Sequence, residues 1–338
     1  MTCGLSATRK KTFSNQQSSP MRTLSIASLL LALVLVPAGA YLRLDSSGIG
    51  CADWPACYGM IGRVADEAPT LGSTYERLVL DATEPLSWVT PLHRLVASVL
   101  GLLVLGMAIV SLRTRKHRLS SLTLLGLTVF LAWLGIYSDG LHSLAVVMGN
   151  LGGGFAMLGL LGWTVFRDAK PHANASLAVR RWVAAALLLL CVQIALGGLT
   201  SANFAAAACS TFPDCHGTWL PGGDLWTAFD LTRQLETDST GLALGGAERT
   251  DIHKLHRIVG VFTLLASFAA AAFAQRAKLG GAALVVLVLV VTEFGIGVAS
   301  ILMELPIGIA VAHNWLAAIL LLSLLRLWAL CRNRQALL

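Results

Sequence analysis

Charge is what this chain has least of. Asp, Glu, Lys and Arg make up only 13% of its 338 residues, against 56% hydrophobic residues, and the mean hydropathy of +0.71 is far from the balance of a water-soluble domain. Acidic residues are missing altogether from the first 44 positions. The formal charge of +7 comes from basic residues scattered between apolar runs, so it reflects topology and gives no support for a nucleic-acid partner. Also absent is the Lys-Ser/Thr ending that would make NLGGG, residues 150–154, a phosphate loop; its small residues within an apolar run suit close helix packing instead.

What the chain has in place of charge is eight apolar runs, near 24–42, 91–112, 119–138, 142–166, 181–204, 252–275, 280–302 and 306–327. A bilayer crossing takes about 20 residues, so these runs predict an all-α integral membrane protein with eight transmembrane helices in a lipid bilayer. Arg22, the run from Leu24 and PAGA at 37–40 resemble a secretory signal. The continuation into GAYLRL favours a retained span.

Basic residues fix the expected orientation. Arg9, Lys10, Lys11 and Arg22 precede the first run, and Arg113, Arg115, Lys116 and Arg118 follow the second. Arg167, Lys170, Arg180 and Arg181 follow the fourth, Arg276 and Lys278 the sixth, and Arg332 and Arg334 the last. The positive-inside rule places all of them, and the N-terminus, on the cytoplasmic side. Among the acids only Asp168 falls there, Glu293 lies within a span, and the rest belong to the opposite face. Segments 43–90 and 205–250 are then outer loops.

Each outer loop carries one version of the same phrase: CADWPACYG at 51–59 and CSTFPDCHG at 209–217. An oxidising compartment favours a disulfide in each, Cys51 with Cys57 and Cys209 with Cys215. The alternatives are free thiols or a zinc site, for which His216 is the one further ligand at hand. The stretch DLWTAFDLTRQL at 224–235 has apolar residues at helical spacing, as a helix on the membrane surface or at a cofactor mouth would.

The repetition extends beyond the cysteines. LHRLV at 92–96 returns as LHRIV at 255–259, an offset of 163 residues. The chain divides accordingly into a cytoplasmic segment 1–23, a four-helix repeat 24–166, a linker 167–180, a second four-helix repeat 181–327 and a tail 328–338. Units with an even number of spans run the same way through the membrane, related by an axis along its normal, and a four-helix bundle houses cofactors in its interior.

Ionisable residues in a span are costly and point to function. His93, His256 and His313 are the histidines so placed. With helices beginning at 251 and 306, His256 and His313 lie about 8 and 10 Å deep at 1.5 Å per residue. Two imidazoles at one level suit the axial positions of a haem iron, with Arg257, and Arg94 in the first repeat, placed for the propionates.

GAYLRL followed by GIGCADWPACYG, LHR at 92–94, LTSANFAAAACSTFPDCHGTW at 199–219, IHKLHR at 252–257 and LPIGIAVAHN at 305–314 together resemble the heme A synthase family, over nearly the whole stretch from Leu24 to Leu327. The resemblance implies an oxidoreductase that turns a ring methyl of haem O into the formyl group of haem A for cytochrome oxidase. It implies a haem b held by His256 and His313, and a substrate haem at His93. Cys51 and Cys57 would take part in the reaction or in redox contact with a partner, the second pair being structural. Expected partners are haem O synthase, cytochrome oxidase assembly factors and a quinol or other electron carrier. The expected location is a bacterial plasma membrane, with the mitochondrial inner membrane as alternative.

The first repeat departs from the family pattern. Thr90 stands where a glutamate is usual, and Thr90-Pro91 predicts a helix start with Thr as N-cap. Asn150 stands where the fourth helix usually carries histidine, a position from which it would hydrogen-bond a bound water or oxygen species. His142 is eight positions away and belongs at the rim. Two other readings follow: a haem-binding relative without catalysis that serves oxidase assembly, and an electron-transfer cytochrome linked to quinol.

Overall fold

The computed structural model describes residues 20–46, 88–136, 143–169, 176–233 and 246–332. The first cysteine pair, Cys51 and Cys57, as well as His142, lies outside the described residues. Among the described residues, eight helices are long and apolar enough to cross a membrane: α1 (Pro20–Ser46), α2 (Val89–Thr114), α3 (Arg118–Ile136), α4 (Leu144–Phe166), α5 (Leu177–Ala202), α7 (Ala247–Arg276), α8 (Gly280–Leu302) and α9 (Ile307–Cys331). A short helix, α6 (Leu225–Phe229), lies between α5 and α7. The chain is an all-α, multi-pass membrane protein.

Its side chains are sorted for lipid. Leu102, Val129, Ile136, Leu188 and Leu265 point outward with more than half of their surface open, an arrangement that only a hydrocarbon surround makes comfortable. Between helices there is then little hydrophobic drive, because lipid tails are as apolar as Leu, so shape complementarity and small residues hold the bundle together. The basic residues of the α2–α3, α4–α5 and α7–α8 connections gather at one end, where Arg332 donates to the Arg167 carbonyl at 2.8 Å and lies over the Trp163 ring.

The helices pack in two closed rings. In the first, α2 and α4 each touch both α1 and α3; in the second, α7 and α9 each touch both α5 and α8. The rings meet through α4 with α9, α1 with α9, and α4 with α5. Exchanging α1, α2, α3, α4 for α5, α7, α8, α9 maps this set of contacts onto itself. One buried apolar cluster fills the second ring, with Val183, Leu190, Ala270, Val286, Leu320 and Leu324 at its centre. Another fills the first ring around Val104, Met107, Leu124 and Leu158, and reaches across to Ala318 and Leu322 of α9.

Two local expectations fail. Trp88, not Thr90, occupies the N-cap of α2, with no side-chain capping bond, so Thr90 and Pro91 sit inside the first turn, where Pro is tolerated because its missing N–H would be unsatisfied anyway. Of the amphipathic stretch 224–235, the described part, 224–233, is helical only over Leu225–Phe229. Asp230 ends it, because its carboxylate accepts from both the backbone N–H and the hydroxyl of Thr232 in a side-chain turn that competes with the helix; these bonds also hold its pKa below the usual carboxylate value.

Gly162 marks the seam between the rings, where an added Cβ would lie 2.5 Å from Leu322 Cδ2. Gly162→Leu should therefore cost about 1–3 kcal/mol, the usual penalty of overpacking, read as a lower unfolding midpoint in detergent. Gly152→Ala, whose added methyl meets nothing within 4 Å, should leave the midpoint unchanged or raise it.

Candidate functional site

The second ring encloses a cavity of about 480 Å³ that reaches from the loop after α5 down to Leu190, Val290 and Leu320, a volume within the about 300–1,000 Å³ usual for ligand sites. Its walls are mostly apolar, and Gln193, His256, Glu293 and His313 are among its polar lining. His256 of α7 and His313 of α9 face each other across the ring with centroids 6.5 Å apart and planes at 84°. The helix starts used to estimate their depth were off: α7 begins at Ala247 and α9 at Ile307. The two rings nevertheless come level, because α7 rises an extra turn into the outer loop.

Room for each imidazole is made by a glycine on a neighbouring helix. A Cβ at Gly197 of α5 would lie 3.1 Å from His256 Cε1, and one at Gly297 of α8 would lie 3.1 Å from His313 Cε1. One turn before each glycine is a polar side chain on the same helix face. Gln193 brings its amide to 3.3 Å from His256 Nε2, and Glu293 brings Oε1 to 3.2 Å from His313 Nδ1. The second contact has the length of a hydrogen bond without its alignment. Nδ1 of both histidines, Gln193 Oε1 and Glu293 Oε2 are buried without a hydrogen-bond partner, which polar groups in an apolar interior do not tolerate without compensation.

Above this level a polar cap closes the bundle. Asp251 accepts the backbone N–H groups of Gly222, Gly223 and Asp224 at 2.6, 3.0 and 3.1 Å and lies 3.6 Å from Lys254 Nζ. Fully buried Asn203 donates to the Leu199 and Ala228 carbonyls and accepts from Arg233 at 2.6 Å, and Arg233 also pairs with Glu248. His253 contacts the Ala205 carbonyl at 2.9 Å. Three successive turns at the start of α7 thereby pin the loop in place.

Within that loop Cys209 and Cys215 are joined by a disulfide. The pairing commits both thiols and excludes zinc at this position, and His216 turns to the Ala208 carbonyl. Arg257 braces the same turn: its Nη1 donates to the Thr211 and Asp214 carbonyls and its Nη2 to the Cys209 carbonyl, all at 2.7 Å. The residue singled out as a propionate partner thus spends its two terminal nitrogens on the loop, leaving a buried Nε without a partner. Arg43 enters from the first ring. It donates from Nε to Ser201 at 3.1 Å and from Nη2 to Asn314, beside His313, at 3.3 Å, and it lines the cavity.

The first ring repeats this frame with less chemistry in it. His93 of α2 is half-buried and lies 3.6 Å from the position of a Cβ on Gly39 of α1, as His256 lies against Gly197. One turn before Gly39 stands Leu35, where α5 has Gln193. Asn150 is half-buried on α4, the helix across the ring from α2, and Arg94 is exposed. Sequence reasoning picked out the histidines but gave no part to Gln193, Glu293 or Arg43. Glu293 was legible as the one carboxylate deep in a span, whereas the other two show their place only once the helices are assembled.

A family model for cytochrome oxidase assembly protein matches residues 22–325. The chain is similar to a heme A synthase of Shewanella oneidensis, 34% identical over 306 residues, which covers 88% of this chain and 92% of that protein. It is similar to a second heme A synthase, from Rhizorhabdus wittichii, at 27% identity over 90% of this chain and 91% of the relative. A third, from Shouchella clausii, is 32% identical over 58% of this chain and 64% of its own length.

If Asp251 is the anchor of the cap, Asp251→Ala removes the acceptor of three N–H groups. The loss should be about 1.5–3 kcal/mol of local stability, and hydrogen exchange at Gly222–Asp224 should accelerate about tenfold or more while the amides of mid-α8 stay as protected as before.

Proposed function

This chain belongs to the cytochrome oxidase assembly protein family, that of the heme A synthases, and from that premise we propose that it oxidises a ring methyl of haem O to the formyl group of haem A. The second ring is the cofactor half, where His256 and His313 would hold a resident haem b. The first is the substrate half, with His93 as the protein ligand of the haem that reacts.

The observation that carries this reading is the imidazole pair. The two rings face each other across the cavity with centroids 6.5 Å apart, and neutral imidazoles are the nitrogen donors that a haem iron would take. The surrounding cavity is apolar on its faces and cationic toward the cap, where Arg43, Lys254 and Arg257 line it, as a porphyrin with carboxylates at one edge requires. Orphaned polar atoms on both histidines fit a site built to hold a further group.

Converting a methyl to a formyl group removes four electrons and four protons and takes up the oxygen of one water in net terms. A bound haem supplies one-electron transfer there. The rest falls to the side chains. His256 and His313 hold the cofactor at a fixed level; the cap pinned by Asp251 and Asn203 keeps bulk water out of the cavity mouth; Arg43 ties the two halves together at the rim. The four electrons pass to an oxidised carrier in the same membrane, such as the quinone form of a quinone/quinol pool, which leaves as quinol. The basic ends of the helices face the cytoplasm, and the membrane is the bacterial plasma membrane.

Thr90 and Asn150 favour a second reading, in which the substrate half holds haem for delivery without oxidising it. The deciding experiment expresses the chain in cells that make haem O but no haem A, and identifies the haems extracted from their membranes. The native chain should yield haem A, and His93→Ala or His313→Ala should each lower the yield by about a hundredfold or more. Haem A appearing only with Thr90→Glu and Asn150→His combined would overturn the synthase reading in favour of delivery.

A further inference from the structure

The two imidazoles are held by one device written twice. On α5, Gln193 and Gly197 serve His256, and on α8, Glu293 and Gly297 serve His313, each pair four residues apart, one turn of helix. The glycine removes a Cβ so that the ring edge can approach the backbone, and the polar residue one turn earlier faces the ring. Helices α5 and α8 are opposite members of the second ring, so each imidazole is oriented from a different side and independently of the other.

The two copies of the device are not equal. An amide faces one ring and a carboxylate the other. Glu293 keeps 12% of its side-chain surface and lies 3.2 Å from His313 Nδ1; its other oxygen has no hydrogen-bond partner, nor does that Nδ1. A carboxylate that deep in a span is too costly to be idle. Among the charged side chains lining the cavity, Arg43, Lys254 and Arg257 lie toward the cap, and each is engaged elsewhere through the contacts given above. Glu293 is thus the acceptor within reach of the His313 ring.

We infer that Glu293 is a positioning residue for His313: it takes the Nδ1 proton in a hydrogen bond, turns Nε2 toward the cavity, and makes His313 a stronger electron donor than His256. The inference rests on the reading of this pair as haem ligands. A partner of this kind fixes the tautomer of a ligating histidine and raises its basicity, which favours the oxidised state of the metal it binds. Gln193 approaches His256 at its other nitrogen, Nε2, and brings an amide in place of a carboxylate. In the first ring the same place before Gly39 is Leu35, so His93 lacks such a partner from α1.

The test is the midpoint potential of the purified haem protein, followed optically, together with its low-spin electron paramagnetic resonance spectrum. Glu293→Gln should retain a low-spin haem while its oxidised-to-reduced ratio at a given potential falls about tenfold, a rise of about 59 mV for one electron. Should that variant lose its haem, Gln193→Glu makes the same test from the other ring, and its potential should fall. Native protein that holds no low-spin haem, or His313→Ala that keeps it unchanged, would overturn the ligand reading itself. Low-spin haem that is lost in His313→Ala but has native potential and spectrum in Glu293→Gln would overturn this inference alone, as would an unchanged potential in Gln193→Glu if the first variant cannot be loaded.

Discussion

An imidazole inside a membrane helix bundle cannot turn to water, so both of its nitrogens must be provided for by the protein or by what the protein binds. That constraint organises the second ring. It explains why Gly197 and Gly297 stand where they do, why a polar side chain precedes each by one turn, and why Gln193, Glu293 and both histidines each keep a partnerless polar atom beside the same cavity. Remove the two histidines and the cavity, the glycines and the buried carboxylate have no common purpose.

The cap is the second consequence. A cavity that opens at the membrane face needs a lid whose own backbone groups are satisfied, and this one is satisfied by side chains from the start of α7. Asp251 collects three consecutive N–H groups, His253 lies against a carbonyl, and Arg257 holds three carbonyls around the disulfide. The sequence IHKLHR therefore does two jobs on one helix: His253 and Arg257, with Asp251 before them, fix the loop, and His256 faces the cavity. Arg43, which reaches from α1 to Ser201 and Asn314, makes the first half part of the same wall. The two rings share a frame but differ in their furnishing. Where the second has Gln193 and His313, the first has Leu35 and Asn150, so any chemistry in the first half leans on His93 and on the bound substrate.

The membrane spans were legible because length and hydropathy decide them almost alone: all eight runs became helices. The ends were less so. The α7 start lay four residues earlier than the expected start at 251, since Glu248 and Asp251 are buried by the cap rather than solvated, a tertiary effect that hydropathy cannot register. Asp230 cut short a helix that apolar spacing favoured, because one carboxylate turn outweighs a weak amphipathic pattern. At the site, periodicity and repeat offsets isolated His93, His256 and His313 but not the groups that serve them. Gln193 is an unremarked polar residue in a span until Gly197 is seen beside an imidazole, and Arg43 reads as a flanking cation until α1 is packed against α9.

Near-infrared magnetic circular dichroism of the purified, oxidised protein tests the central claim most directly, because its charge-transfer band identifies the pair of side chains bound to a low-spin ferric haem. The proposed function predicts the signature of two imidazoles, lost when either His256 or His313 is replaced by alanine. A five-coordinate haem, a histidine paired with a different ligand, or a bis-imidazole band that survives both replacements would contradict it.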